Sequence, residues 1–244
     1  MNKMKLIILE NLKTIFYALV IAILIRSLFI QPFYIPSSSM EPNLLVGDRI
    51  FVTKYTYGYS KHSFPFSPGI YSQRIMYSEP KQGDLVVFKT PADNRTDYIK
   101  RLIGMPGDEI QFINGEIFIN KEKIKRKKIN KKIKVRCGNF ILDVNFFEET
   151  LPNQTKYIAA YSAEGTLKNS DKYVVPENHF FLMGDNRDCS KDSRFLSDVG
   201  YVNFINLVGK AKYIFFSNDT NISPLIKFWN IKDSFRLNRL FRSL

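Results

Sequence analysis

The chain has 244 residues, enough for one large domain or two small ones. Hydrophobic residues make up 45% of it, which allows a packed core, and a formal net charge of +13 favours an anionic partner, either nucleic acid or membrane headgroups. With two cysteines and two histidines, the composition excludes a disulfide-dense scaffold and argues against a Cys/His zinc site.

The first predicted element is an apolar segment near the N-terminus. Residues 14–31 contain one charged side chain, Arg26, and span about 18 residues, the lower limit for crossing a bilayer. A cleaved signal peptide is the alternative, but no small-residue cleavage site follows, so we expect a retained transmembrane anchor. Lysines precede the segment, and the next basic residue after Arg26 is Arg49. The positive-inside rule then places residues 1–13 in the cytoplasm and residues 32–244 outside it.

Beyond the anchor, short apolar runs alternate with turn residues, which predicts a mostly β domain. Four Gly-Asp pairs mark turns beside the predicted strands, which are 49–52, 85–88, 109–112 and 179–183. Asn114-Gly115 is typical of a tight turn and predicts a β-hairpin at this position. Segments 55–77 and 121–134 interrupt the pattern, and we expect them to be insertions on the β core.

Two basic segments give information on whether the chain binds nucleic acid or a membrane. The Lys/Arg-rich run 121–134 matches nucleic acid by charge alone, but such runs are most often solvated faces, and we expect this one to lie near anionic lipid headgroups. No nucleic-acid partner is predicted. At the C-terminus, a predicted helix presents Leu237, Leu240, Phe241 and Leu244 on one face, which packs on the core or lies at the membrane interface. We favour core packing.

Residues 35–40 contain three consecutive serines, Ser37, Ser38 and Ser39. Serine is common in polar turns, and it is also a nucleophile when a neighbouring group removes its proton. The residues alone do not decide which of the three serines attacks.

Lys100 lies in a predicted strand, on one face with Tyr98 and Leu102. Partial burial lowers the pKa of an ammonium group and leaves free amine near neutral pH, as a general base requires. The alternative is an ordinary strand-end cation. The neighbouring Arg101 cannot act as the base, because guanidinium does not deprotonate in proteins.

A third motif, GDNRDCSKDSR, occupies residues 184–194. Together with the serine run and with YIKR at 98–101, followed by GMPGD at 104–108, it makes the chain resemble bacterial type I signal peptidase. That family consists of membrane-bound proteases that use a serine/lysine dyad to remove signal peptides from exported proteins. The resemblance covers the anchor, the β core and the Arg-rich C-terminus.

The resemblance implies a role for each motif residue. Ser39 directly precedes Met40, as the nucleophile of the family does, and Lys100 is then the general base. The Ser37 hydroxyl and the Ser39 backbone N–H would form the oxyanion hole.

Ser190 resembles the serine that hydrogen-bonds the catalytic amine, and Asp192 and Arg194 resemble a structural ion pair beneath it. Cys189 stands where the family usually carries asparagine. We expect a buried free thiol there, and a disulfide with Cys137 is the alternative in an oxidising compartment.

The resemblance also implies the wider organisation. We expect a mostly β catalytic domain in the periplasm, with an inserted, non-catalytic β subdomain at roughly residues 112–178, anchored by one span in the bacterial inner (cytoplasmic) membrane. The expected partners are signal-peptide-bearing preproteins and the lipid bilayer, and no metal or nucleotide cofactor is expected. Preproteins are expected to bind extended along a strand edge and to be cut after small residues. An apolar rim of Phe33, Ile35 and Met40 is a further hypothesis for contact with the bilayer.

Two alternatives remain. A self-cleaving repressor uses the same dyad, but the predicted anchor argues against a cytosolic protein. A basic binding protein without activity is disfavoured because both Ser39 and Lys100 are present. His62 and His179 have no acid partner placed by a motif, so we do not expect a histidine-based triad. The oligomeric state is left open.

Overall fold

The computed structural model describes residues 3–69, 73–138, 140–162, 165, 167–219 and 235–244. Within them, one α-helix, α1 (Lys3–Leu28), precedes fifteen strands. The strands are β1 (Ile30–Tyr34), β2 (Asp48–Thr53), β3 (Leu85–Lys89), β4 (Asp97–Gly104), β5 (Glu109–Ile113), β6 (Glu116–Ile119), β7 (Glu122–Lys123), β8 (Lys125–Cys137), β9 (Phe140–Thr150), β10 (Lys156–Ser162), β11 (Tyr173–Val174), β12 (His179–Met183), β13 (Val202–Asn203), β14 (Leu207–Ser217) and β15 (Arg242–Ser243). The predicted mostly β class is confirmed.

Among the described residues, α1 is the one helix long and apolar enough to cross a membrane, over Ile7–Leu28 with a mean hydropathy of 2.0. The sequence placed this segment at 14–31, so its predicted C-terminal boundary was too late. Gln31 already lies in β1, where it pairs with Val52. The reason is local, because Pro32 biases the residue before it towards an extended conformation.

The largest sheet has eight strands, in the order β1-β2-β14-β3-β4-β12-β13, with β15 paired to β14. Its strands pair antiparallel. Successive residues of β3 point to opposite faces, and both faces are covered. Val87 packs with Ile50 in one apolar cluster, whereas Val86 and Phe88 pack with Leu102 in another. The central strands are therefore buried on both sides.

Two smaller sheets lie within residues 109–174, one in the order β11-β5-β6-β7 and the other in the order β10-β9-β8. The predicted hairpin is confirmed, since Ile113 pairs with Glu116 across a turn in which Asn114 has φ 52° and Gly115 has φ 76°. The basic run 121–134 forms β7 and most of β8, which pairs with β9.

The segment 55–77 is held on the core by buried polar side chains, although its residues 70–72 lie outside the described part. The Tyr57 hydroxyl donates a 2.9 Å hydrogen bond to Asp84. Arg74, which is 8% exposed, donates to the Gly58 carbonyl at 2.7 Å. Part of this segment is thus integral to the fold.

The predicted C-terminal helix is wrong for the described residues 235–244. They form a short 3-10 turn, Leu237–Arg239, followed by β15. Leu237 and Phe241 are 70% and 77% exposed, so the four apolar residues do not share a buried face. Arg239 is turned inward instead, and its Nε donates to the buried Asp48 carboxylate at 3.0 Å. This buried ion pair outweighs the helical pattern of the leucines.

A buried ion pair joins the β8–β10 sheet to the loop after β12. Arg187 donates to both carboxylate oxygens of Glu149, at 3.1 and 2.6 Å, and the two residues are 2% and 1% exposed. The hydroxyls of Tyr157 and Tyr161 donate to the same carboxylate. Both carboxylate oxygens of Glu149 therefore accept hydrogen bonds.

Arg187→Met is expected to lower the free energy of unfolding by about 3–5 kcal/mol, because it leaves the Glu149 carboxylate buried without a cation. Denaturant unfolding measures the loss. The matched control is Lys156→Met, which removes a cation from the same sheet. The carboxylate partner of this cation, Glu148, is 41% exposed. That control should cost less than about 1 kcal/mol. Equal losses in the two variants would contradict the account.

Candidate active site

The three serines lie on a turn between β1 and β2 whose ends are fixed in the core. Met40 and Leu44 are both 0% exposed, and the Leu44 N–H donates to the Met40 carbonyl at 3.0 Å. The hydroxyls separate on this turn. Ser38 Oγ lies 3.7 Å from Cys189 Sγ, whereas Ser37 Oγ lies 3.4 Å from Ser39 Oγ.

Lys100 reaches Ser39 from β4. Its Nζ lies 2.7 Å from Ser39 Oγ and 3.0 Å from the Ile99 carbonyl oxygen. The side chain is 4% exposed, and this burial lowers its pKa to about 8, although Asp192 and Asp185 oppose the shift. A free amine next to a hydroxyl can accept the hydroxyl proton, so this pair has the geometry of a nucleophile and its base.

Both groups open onto one cleft of about 420 Å³. Its lining is largely apolar, with Ile35, Val87 and Ile99 beside Ser39 and Lys100. A cleft of this kind can bind a small apolar side chain next to the serine.

The third motif holds the serine turn through Asn186. Its backbone N–H donates to the Ser39 carbonyl at 3.1 Å, and its side-chain amide donates to the Ser38 carbonyl at 3.1 Å. Asn186 is 1% exposed. The sequence reading assigned it no role, although its position inside the motif was a usable signal.

Gly184 lets the same motif approach the serine turn closely. A Cβ at this position would lie 2.2 Å from Ser190 Oγ and 2.6 Å from the Ser39 carbonyl oxygen. Ser190 Oγ is buried here; it meets no standard hydrogen-bond geometry among the described residues, but it lies close enough to the Asp192 carboxylate to help lower the pKa of Asp192. The hydrogen bonds recorded for Lys100 go to Ser39 and Ile99, so an orienting role for Ser190 stays a prediction.

Asp192 and Arg194 form an ion pair at the end of the motif. Arg194 Nε lies 2.8 Å from Asp192 Oδ1, and the carboxylate also accepts the Gly184 N–H at 2.8 Å. Burial favours the neutral acid, but Arg194 and the Gly184 N–H hold the pKa of Asp192 below its ordinary value. Asp192 is therefore an anion near Lys100, and it limits how far the lysine pKa falls.

A second buried carboxylate, Asp185, connects the serine turn with the lysine strand. Arg101 donates to both of its oxygens, each at 2.7 Å, and Asn43 donates to Oδ2 at 2.7 Å. The sequence reading missed this set. Strand alternation puts Arg101 on the face opposite Lys100. A cation on a second buried face needs a counter-ion, so the sequence did indicate that Arg101 has a buried carboxylate partner.

The expectation of a free Cys189 thiol is wrong, because Cys189 forms a disulfide with Cys137. The bond joins the end of β8 to the residue before Ser190. The proposed rim for contact with the bilayer is also incorrect in part, since Ile35 and Met40 are 2% and 0% exposed. Both side chains belong to an apolar cluster of the core, with Phe33 packed against it.

Comparisons with known proteins identify the family of the chain. The model of the family described as "Signal peptidase, peptidase S26" matches residues 8–216. The "Signal peptidase I" of Rickettsia canadensis (strain McKiel) is 41% identical over 255 residues, covering 96% of this chain and 93% of the relative. That of Rickettsia conorii (strain ATCC VR-613 / Malish 7) is 41% identical over 248 residues, covering 93% and 90%.

A signal peptidase I structure from Enterococcus faecalis V583 is 22% identical and covers 55% of this chain and 97% of its own, with a TM-score of 0.32. A likeness this low carries no argument about the fold. The family match and the relatives define the class of the protein, which is a hydrolase of the serine peptidase class. The chain belongs to the signal peptidase family, peptidase S26.

Gly184→Ala is expected to lower the free energy of unfolding by about 1–3 kcal/mol, because the added methyl group overlaps Ser190 and the serine turn. Chemical denaturation of the full chain measures this change. Gly69→Ala is the matched control, since a Cβ there meets no heavy atom of the described residues within 4 Å. The control should stay within about 0.5 kcal/mol of wild type. If Gly184→Ala is as stable as Gly69→Ala, the close approach of Gly184 to the serine turn does not contribute to stability.

Proposed function

We propose that the protein is a membrane-anchored endopeptidase that removes N-terminal signal peptides from exported preproteins, with Ser39 as nucleophile and Lys100 as general base. The observation that carries the proposal is the 2.7 Å contact between Lys100 Nζ and Ser39 Oγ. The names of the relatives supply the substrate class.

The proposed reaction begins when the neutral Lys100 amine accepts the Ser39 proton as Oγ attacks the scissile carbonyl carbon. Ser37 Oγ and the Ser39 N–H are assigned to the resulting oxyanion. The Lys100 ammonium then gives its proton to the departing amine, and the peptide C–N bond breaks to leave an ester on Ser39. Water then attacks the ester as Lys100 takes one of its protons. Lys100 returns that proton to Ser39 Oγ as the ester bond breaks, which restores the starting enzyme.

The protonation state of Lys100 determines the fraction of enzyme molecules whose Lys100 can act as a base. With a pKa of about 8, roughly a tenth of the amine is free at pH 7, whereas an ordinary lysine would have far less. Burial is the main cause of the low pKa, and no carboxylate among the described residues lies within ion-pair distance of Nζ to cancel it.

The edge of β4 offers a place for an extended substrate. β12 pairs with β4 at residues 101–104 only, which leaves Asp97–Lys100 without a strand neighbour on that side in the described part. A peptide added there would continue the sheet and pass the 420 Å³ cleft. Backbone hydrogen bonds would then hold varied sequences, and the cleft would select a small side chain.

Anchoring by α1 is part of the proposal. The helix has the length and hydropathy of a span, and the disulfide favours an oxidising compartment for the β domain. We propose that residues 1–13 are cytoplasmic, that the catalytic domain is periplasmic, and that the membrane is the bacterial inner membrane. The lysines before the span support this orientation.

Ser39→Ala and Lys100→Met are each expected to lower the rate of preprotein cleavage by at least about 10³-fold, since each removes one half of the proposed dyad. The assay follows a purified preprotein in detergent and sequences the new N-terminus. Ser38→Ala and Lys191→Met are matched controls, because both residues lie near the same site but, among the described residues, their side chains make no hydrogen bond or ion pair with Ser39 or Lys100. Cleavage by Ser39→Ala at the wild-type rate would refute the nucleophile assignment.

The dependence of kcat/KM on pH should report the Lys100 pKa. Activity is expected to rise about tenfold per pH unit below about 8 and to level off above it, as the amine loses its proton. The pKa in the folded state lies below the ordinary value of 10.5, so the folded state binds fewer protons between these values and stability rises with pH there.

It follows that Lys100→Met should raise the free energy of unfolding at pH 7 by roughly 1–3 kcal/mol, because the buried ammonium is removed. Denaturant unfolding at pH 7 provides this measurement. An inactive but more stable variant separates a chemical role from a structural one. A flat pH profile between 6 and 9 in wild type contradicts the assignment of Lys100 as base.

A further inference from the structure

A second cavity, of about 540 Å³, lies where the end of α1 meets the β domain. We call it the basic pocket. Residues from α1, β1, the turn after β2, the 3-10 turn Lys61–Ser63 and the loop between β3 and β4 contribute to it. Its basic side chains are Arg26, Lys54, Lys61, His62, Lys89 and Arg95.

The charge of the basic pocket is not balanced from within. Two carboxylates line it, Asp93 and Asp97. Asp97 pairs with Lys89 at 2.9 Å, and Asp93 accepts hydrogen bonds from Thr90 and from the Arg95 and Thr96 backbone. No carboxylate of the described residues lies within ion-pair distance of the other lysines and arginines of the pocket, which are Arg26, Lys54, Lys61 and Arg95.

Some of these groups are buried without a carboxylate partner, although the Lys54 ammonium donates to the Ser63 carbonyl. Lys54 is 2% exposed, and burial together with Arg26 lowers its pKa to about 8. His62 is 5% exposed, and its Nε2 has no hydrogen-bond partner in the described part of the chain. Burial, followed by the charge of Lys61, lowers the pKa of His62 to about 4. An anion in the pocket would offset these unfavourable interactions.

The location of the pocket selects one kind of anion. Arg26 lies in the last turn of the candidate span, so the pocket opens at the depth of lipid headgroups if α1 crosses a membrane. Phe66 lines the pocket and is fully exposed, and Phe29, directly after α1, is 53% exposed. Exposed aromatic rings beside cations are typical of the membrane interface, whereas an acidic peptide would not need them.

We propose that the basic pocket binds the phosphate group of an anionic phospholipid, such as phosphatidylglycerol, from the leaflet next to the β domain. The inference depends on α1 being the membrane anchor of the proposed function, and it is independent of the roles of Ser39 and Lys100. A bound lipid would hold the β domain at a fixed height above the bilayer.

The test is retention of phosphatidylglycerol and phosphatidylcholine by the full chain, measured by native mass spectrometry from detergent and from nanodiscs containing both lipids. Wild type should bind phosphatidylglycerol more tightly than phosphatidylcholine. The double variant Lys61→Gln/Arg95→Gln removes two unpaired cations that are not fully buried. It should bind phosphatidylglycerol about 25-fold more weakly, since each cation near anionic lipid contributes about fivefold in affinity.

The matched control is Lys127→Gln/Lys128→Gln, which removes two exposed cations of β8 outside the basic pocket. It should retain phosphatidylglycerol as wild type does. The inference is wrong if both double variants lose the lipid equally, or if wild type does not prefer phosphatidylglycerol. Inorganic phosphate bound as tightly as the lipid would assign the pocket to a free anion instead.

The two proposals fail in different ways. A chain that cleaves no preprotein but retains phosphatidylglycerol leaves the lipid site intact. A chain that cleaves preproteins yet does not enter phosphatidylcholine nanodiscs has no anchor, and the lipid site is then rejected while the peptidase assignment stands.

Discussion

The Asp185 carboxylate fixes the relative positions of the serine turn and the lysine strand. It accepts two hydrogen bonds from Arg101, the neighbour of Lys100, and one from Asn43, four residues after Ser39. The backbone carbonyl of Asp185 accepts a hydrogen bond from the Ala160 N–H of β10 at 2.8 Å. A buried ion pair of this kind is favourable only when its geometry is good and its remaining acceptors are satisfied, and both conditions hold here. The 2.7 Å contact between Ser39 and Lys100 depends on this connection.

Adjacent residues of β4 have opposite electrostatic environments. Arg101 faces a carboxylate and keeps its charge, whereas Lys100, on the other face, meets a hydroxyl and a backbone carbonyl. Arginine suits the first position because it does not deprotonate, and lysine suits the second because burial can make it neutral. The strand thereby supplies a permanent cation for structure and a titratable amine next to Ser39.

Sequence patterns identified the parts that depend on local preference or on contiguous motifs. Gly-Asp turns beside apolar runs placed several strands correctly, and Asn114-Gly115 placed the hairpin. The patterns failed where distant side chains decide the structure. The helical spacing of the C-terminal leucines gave no sign of the Arg239–Asp48 ion pair, and the sequence offered the Cys137–Cys189 disulfide only as the alternative to a free thiol. Such contacts depend on packing between segments far apart in the chain.

The sheets within residues 109–174 bear on how an inserted region can affect catalysis. The predicted insertion, 112–178, supplies no side chain to the proposed dyad. Yet several bonds join these sheets to residues 185–189, among them the disulfide, the Glu149–Arg187 pair and the hydrogen bond from Ala160 to Asp185. The same short loop contacts the serine turn through Asn186. The sheets therefore support the loop that holds the serine turn, and packing changes in the sheets would alter the position of Ser39 through that loop.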